Sequence, residues 1–216
     1  MYTCPKCGFF IEDGDLFCNH CGARVGVAPR KSKKKTIIIA IVIATVVVLA
    51  VGAKLAYDAV ARANYMYDAE ECAYLMLDGC VDAETACNKI VAVWNNSIWQ
   101  TDDPETNQYT TDEDGYFYDD FNDALESLFS DESFQKDITD ISDNQFDVNQ
   151  KMKGLQNPPR GCNQIYQQLS DFYDEYYNLT NCALNPTGSL STFSDDFNDA
   201  DEKSVKLFNK LMLNFE

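Results

Sequence analysis

The 216-residue chain has one histidine, His20, and little positive charge, with 17 lysines and arginines against 35 aspartates and glutamates. A solitary histidine removes most Ser-His-Asp, Cys-His and multi-histidine metal chemistry. The shortage of cations, a net −18, argues against the whole chain binding nucleic acid, because phosphate contacts need clustered lysine and arginine. No G-x-S-x-G, Walker or Rossmann pattern is present. Nor does any stretch alternate convincingly with period two, so a large sheet is not expected. With 45% apolar and 24% charged residues, the composition is not collagenous, coiled-coil or low-complexity. The length suits one ordinary domain plus accessories.

What is present is unevenly distributed. Residues 1–35 carry seven basic and three acidic residues, residues 36–53 carry none, and residues 54–216 carry ten basic against 32 acidic. The segment charges are therefore +4, 0 and −22. The neutral block, TIIIAIVIATVVVLAVGA, is too long for a buried strand, and as a helix it spans roughly 27 Å of a bilayer's ~30 Å hydrocarbon core. Arg30, Lys31, Lys33, Lys34 and Lys35 precede it and only Lys54 and Arg62 follow closely, so the positive-inside bias keeps the N-terminus cytoplasmic. A cleavable signal is disfavoured: the apolar run exceeds the usual ~7–15 residues, and a segment with its own fold signature precedes it. The expected organisation is a unit at 1–25, a basic juxtamembrane linker at 26–35, a transmembrane helix at 36–53 and an extracytoplasmic domain at 54–216.

The first unit holds Cys4-Pro5-Lys6-Cys7-Gly8 and Cys18-Asn19-His20-Cys21-Gly22. Two C-x2-C pairs, each closed by a glycine that tolerates positive φ, supply the four thiolates of a tetrahedral structural zinc site. Iron in the same four-thiolate shell is chemically open. Cys4, Cys7, Cys18 and Cys21 are thus the candidate metal ligands, with no position left for a catalytic water and His20 left as an exposed turn residue. Phe9-Phe10-Ile11 and Leu16-Phe17 read as two short strands joined by the turn Glu12-Asp13-Gly14-Asp15. So small a unit has almost no core, and metal binding must provide most of its folding free energy.

CPKCGFFIEDGDLFCNHCGARV resembles the short zinc ribbon at the N-terminus of many bacterial membrane proteins, in which CPxCG, an acidic turn and FCxxCG recur. The resemblance implies metal ligation by the same four cysteines. It also fits a layout of ribbon, basic linker, single span and outer domain. It is silent on residues 54–216, because such ribbons precede different outer domains.

From Lys54 onward, apolar residues recur at helical spacing. Leu55, Ala59, Ala63 and Met66 continue the membrane helix, and Cys80, Ala83, Cys87, Ile90, Val91, Trp94 and Ile98 mark a second stretch. Further stripes begin at Phe117, Phe134, Ile165 and Leu190, separated by Pro158-Pro159 and by Asn185-Pro186-Thr187-Gly188. The fold expected is mainly α: a small β zinc ribbon, one transmembrane helix and an antiparallel helical bundle with an aromatic core that includes Trp94 and Trp99. Tyr166, Tyr173, Tyr176 and Tyr177 serve packing first and a ligand groove second. Cys72, Cys80, Cys87, Cys162 and Cys182 are as credible as free thiols as in disulfides. Asp112-Glu113-Asp114-Gly115 fails as an EF-hand, since Thr110 and Phe121 fall where aspartate and glutamate are needed.

The function expected is a single-pass membrane protein, not an enzyme, whose outer helices bind a protein or ligand in envelope sensing or scaffolding. Its partners would be the bilayer and a protein at the ribbon or outer domain, with no nucleic acid. The alternative is an envelope enzyme with a carboxylate site in the bundle.

Overall fold

The computed structural model describes residues 1–26 and 33–215. Residues 27–32, most of the expected basic linker, lie outside the described residues. The chain divides into two compact units, Met1–Leu55 and Ala56–Glu216.

In the first unit, β1 (Tyr2–Thr3) pairs antiparallel with β2 (Phe10–Ile11), matching Tyr2 to Ile11 and Thr3 to Phe10. Phe17 bridges Arg24, and the Val25 N–H donates to the Leu16 carbonyl at 3.0 Å. The strands on either side of the acidic turn therefore do not pair with each other. Each instead pairs across its own C-x2-C turn, because the local hydrogen bonds of that turn fold the chain back at once. Helix α1 (Lys33–Trp99) begins in this unit. Its segment from Ile37 to Val51 is exposed throughout, although it contains isoleucine, valine, leucine and alanine almost exclusively. The Thr45 hydroxyl within it donates to the Ile41 carbonyl at 2.9 Å, so its one polar side chain needs no water. Among the described residues, one helix is long and apolar enough to cross a membrane, and its most apolar window is wholly unburied.

The second unit contains the remainder of α1, the short α2 (Asn107–Thr110), α3 (Phe121–Ser130), α4 (Glu132–Leu155), α5 (Asn163–Leu184) and α6 (Leu190–Met212). Side-chain pairs fix their directions. Along α1 and α4, Tyr65 donates to the Leu155 carbonyl at 3.1 Å, Glu71 meets Lys151 at 2.9 Å, and Lys89 lies over Phe134. Numbers rise on one helix as they fall on the other, so α4 runs antiparallel to α1. The same holds for α4 and α5 through Asn149–Tyr173 and Gln145–Thr180. It holds again for α5 and α6 through Gln168–Asn214, just past the end of α6, and Phe172–Phe208, and for α6 and α1 through Tyr74–Phe208 and Trp94–Phe193. The result is an up-down-up-down four-helix bundle of α1, α4, α5 and α6.

Its core matches small residues to large ones. On α1 the buried face carries Ala69, Cys72, Ala73, Cys80, Ala83, Ala86 and Cys87 among the larger Tyr65, Met76, Ile90, Val93 and Trp94, while Phe134, Phe172, Tyr176, Phe193 and Phe197 fill space from the other helices. Small side chains on one helix let aromatic ones seat without overpacking. Caps set the boundaries: Asp120 and Asp131 accept N–H groups at the starts of α3 and α4, and Ser189 with Thr192 forms a capping box on α6.

Two expectations need correcting. The two stretches expected before residue 99 are parts of the single helix α1, which runs through Gly79 without a break. Ile98 and Trp99 are exposed, since the buried stripe of α1 ends at Trp94–Ser97 as the helix runs out. The loop that follows is tied into the end of α1. Asn96 is buried, donates to Thr106 Oγ1 at 2.7 Å and Thr110 Oγ1 at 3.2 Å, and accepts the Thr101 N–H at 2.9 Å. One amide thereby satisfies buried hydroxyls that would otherwise cost free energy.

Candidate metal centre

The two C-x2-C turns repeat one local design. The Cys4 N–H donates to the Phe9 carbonyl at 2.8 Å, and the Cys18 N–H donates to the Ala23 carbonyl at 2.7 Å. The Gly8 N–H returns to the Cys4 carbonyl at 2.9 Å, and the Gly22 N–H to the Cys18 carbonyl at 2.8 Å. Gly8 and Gly22 adopt φ of 72° and 69°, a region that costs other residues strain. Two matching turns thus present two pairs of sulfurs to one point.

At that point the Sγ atoms of Cys4, Cys7, Cys18 and Cys21 all lie within 4.8 Å of one another. Cys4 and Cys21 are 3.7 Å apart, and Cys7 and Cys18 are 3.6 Å apart. A tetrahedron with metal–sulfur bonds of ~2.3 Å has edges of about 3.8 Å, so these separations fit a zinc ion. The donor set agrees, being four soft thiolates with no open position. Cys4 and Cys18 are buried against Ile11, with Ala23 and Val25 alongside, while Cys7 and Cys21 face solvent. His20 is exposed and stacks on Phe9, with ring centroids 4.9 Å apart, outside the sulfur cluster. The apolar support from Ile11 and Val25 is what motif spacing could not reveal.

Residues 1–25 match the zinc-ribbon domain family. Its four cysteines are positioned to hold a structural zinc ion. No curated protein and no solved structure matches the chain.

Without a cation, the ribbon thiols share charge unequally. Backbone N–H groups of Cys21 and His20, with the neighbouring thiols, lower Cys18 to about 6. Cys7 receives a backbone hydrogen bond from Phe9, yet the thiols of Cys21, Cys18 and Cys4 together with burial push it up to about 12. Zinc binds thiolates, so loading the site displaces protons from the ribbon thiols. Protons compete with metal, so affinity falls as pH falls. Zinc titration of the full-length protein between about pH 8 and about pH 5 should show a steep, monotonic loss of affinity, with protons released on binding. Affinity independent of pH would mean that the thiolates are not the ligands.

The cysteines of the second unit are free thiols, and Cys72, Cys80, Cys87 and Cys162 are buried. Burial pushes Cys72 and Cys80 up to about 12 and raises Cys87 and Cys182 as well. Such thiols behave as small apolar residues. The tyrosines serve the helix seams: Tyr173 donates to Asn149 Oδ1 and Tyr176 to Asn144 Oδ1, the latter at 2.6 Å. Asp112 Oδ1 accepts the N–H groups of Asp114 and Tyr116, making a self-contained turn of the stretch that superficially resembles a calcium loop. Asp82 is held above the usual carboxylate range, chiefly by burial and then by Asp140, Asp78 and Asp137.

Proposed function

We propose that the protein is a single-pass membrane protein with its zinc ribbon in the cytoplasm and its helical bundle outside, the bundle serving as an interaction domain in envelope sensing or scaffolding. One observation carries the reading: the Ile37–Val51 stretch of α1 is apolar and exposed along its whole length. Burying it in hydrocarbon removes that surface from water, at about 25 cal/mol per Å². Lysines and arginines cluster on the ribbon side of the stretch and are sparse beyond it, which supports the orientation.

The bundle reads as a binding module rather than an enzyme because its interior is filled by apolar and aromatic side chains. Asp82, the carboxylate raised by burial, lines an open groove with Thr85, Asp137 and Asp140. In that setting partial burial and mutual repulsion among acids are a sufficient account of it. Partners at the ribbon or on the bundle would be proteins or small ligands.

Topology is testable with a membrane-impermeant maleimide on intact cells carrying Glu113→Cys, a substitution at an exposed turn. The thiol introduced at that turn should be modified from outside, and the ribbon cysteines only after permeabilisation and zinc removal. Labelling of the ribbon in intact cells would overturn the orientation. Recovery of the protein in the soluble fraction would overturn the span itself.

A further inference from the structure

Between residues 58 and 97 of α1, the exposed large apolar residues are Val60, Tyr67, Tyr74 and Val81, at 60%, 68%, 47% and 53% exposure. Each stands seven residues from the next. Seven residues bring a helix back to within about 20° of its starting direction, so the four form one stripe. The stripe lies on the side of α1 away from the bundle. Tyr67 sits between the buried Tyr65 and Ala69, Tyr74 between Cys72 and Met76, and Val81 between Gly79 and Ala83. Two residues turn a helix by roughly 200°, so each points away from its buried neighbours.

Ala56, Ala63 and Leu77 complete a three-four alternation with these residues, interrupted by Glu70 alone. Solvation would favour charge on such a face, as at the exposed Asp68, Glu71, Asp78 and Asp82 nearby. A strict seven-residue apolar repeat over three to four heptads is instead what two supercoiled helices require, each knob seating in a hole on its partner.

We propose that α1 pairs in parallel with α1 of a second copy of this chain, along the seam from Ala56 to Val81. In register, tyrosine meets tyrosine and valine meets valine, while the alanines let the two backbones approach. A single-pass span supplies that register, since every copy enters the bilayer the same way and carries equal residues at equal height. The parallel alignment thus rests on the functional reading above, but the exposed seam does not. Residues 54–216 carry −22 and repel their like, which confines contact to a stripe with one acid. Glu70 lowers the affinity of the pair and helps to fix its register.

The test is cysteine crosslinking in membranes from cells that express the full-length chain. Tyr67→Cys and Val81→Cys place thiols on the seam. Arg62→Cys and Asp68→Cys place them at exposed positions roughly 100° round the helix from the nearest seam residue. All four side chains are exposed, so the bundle should tolerate each change. The unsubstituted chain, with its native thiols, sets the baseline. Mild oxidation should yield a homodimer from both seam variants at roughly ten times baseline or more, and nothing above baseline from the other two. Adding Glu70→Leu to Tyr67→Cys should raise the yield at limiting oxidant, and adding Val81→Glu should lower it severalfold. Equal yields at all four positions would overturn the proposal, as would baseline yields at both seam positions or indifference to Val81→Glu. A crosslink from the seam to a different polypeptide, in place of the homodimer, would overturn it too. Recovery of the chain in the soluble fraction would refute the span, whereas homodimer formed there at the same two positions would still support the seam.

Discussion

Cys18→Ser is expected to strip zinc from the ribbon and unfold residues 1–26. The apolar support of this segment is Ile11 with Cys4 and Cys18, flanked by the partly buried Ala23 and Val25. That is too little to offset the conformational entropy of ordering the chain, ~1–2 kcal/mol per residue for the backbone alone. Zinc binding to four thiolates supplies about 10–16 kcal/mol in small zinc domains, so folding and metal binding are one equilibrium. A serine hydroxyl stays protonated near neutrality and is a harder, weaker ligand, and at a buried position it also strands a polar group. Zinc content should fall from one per chain to a small fraction. Amide exchange at the Cys4 and Cys18 N–H groups, which bond the Phe9 and Ala23 carbonyls, should lose its protection. Cys21→His separates ligation from mere tolerance, because a Cys3His shell still binds zinc and should keep both readouts in large part. A ribbon that keeps its exchange protection after Cys18→Ser, or after chelation, would show that metal is not what folds it.

The ribbon was legible because its chemistry is local. Four ligands within 18 residues, each pair followed by glycine, specify a site before any tertiary contact is known. The apolar stretch was legible for a different reason, since length and composition alone identify a helix apolar enough to cross a membrane. In the bundle, periodicity marked the buried faces of α4, α5 and α6, and Pro158-Pro159 and Asn185–Gly188 marked their ends. Periodicity could not show that α1 is continuous, because alanine, cysteine and glycine at its core positions give a weak apolar signal. Nor could it show what those small residues are for. Their role appears only when the aromatic side chains from α4, α5 and α6 are seen to need the room. Strand pairing in the ribbon was hidden likewise, as two-residue strands carry no alternation to read.

Gly79→Ala should destabilise the bundle, against the expectation from helix propensity. Gly79 lies within α1, where alanine would ordinarily gain about 0.8–1.0 kcal/mol. Here a Cβ would lie 2.1 Å from Asn144 Oδ1 and 2.8 Å from both Asn144 Cγ and Tyr176 Cε2. Asn144 is a polar key between three helices: its Nδ2 donates to the Leu75 carbonyl at 3.0 Å, and its Oδ1 accepts the Tyr176 hydroxyl at 2.6 Å. Tyr176 is wholly buried, so a displaced Asn144 leaves its hydroxyl without a partner, at about 1–3 kcal/mol. Overpacking adds a further ~1–3 kcal/mol. Less the propensity gain, the net loss is about 1–5 kcal/mol, which lowers Tm by roughly 2–20 °C in a domain of this size. Gly154→Ala supplies the matching control. Gly154 is also helical, on α4, but a Cβ there meets nothing within 4 Å, so the same substitution should stabilise by up to ~1 kcal/mol. Opposite signs for one chemical change, at two glycines of one bundle, isolate the close approach at Asn144 from any general effect of glycine. In the double variant Gly79→Ala with Asn144→Ala, the added methyl enters space that the amide has vacated. Its cost should then be much smaller than in the single variant, with a coupling energy of ~1 kcal/mol or more. If the two losses simply add, the small residues of α1 do not make room for Asn144, and Gly79 has some other role.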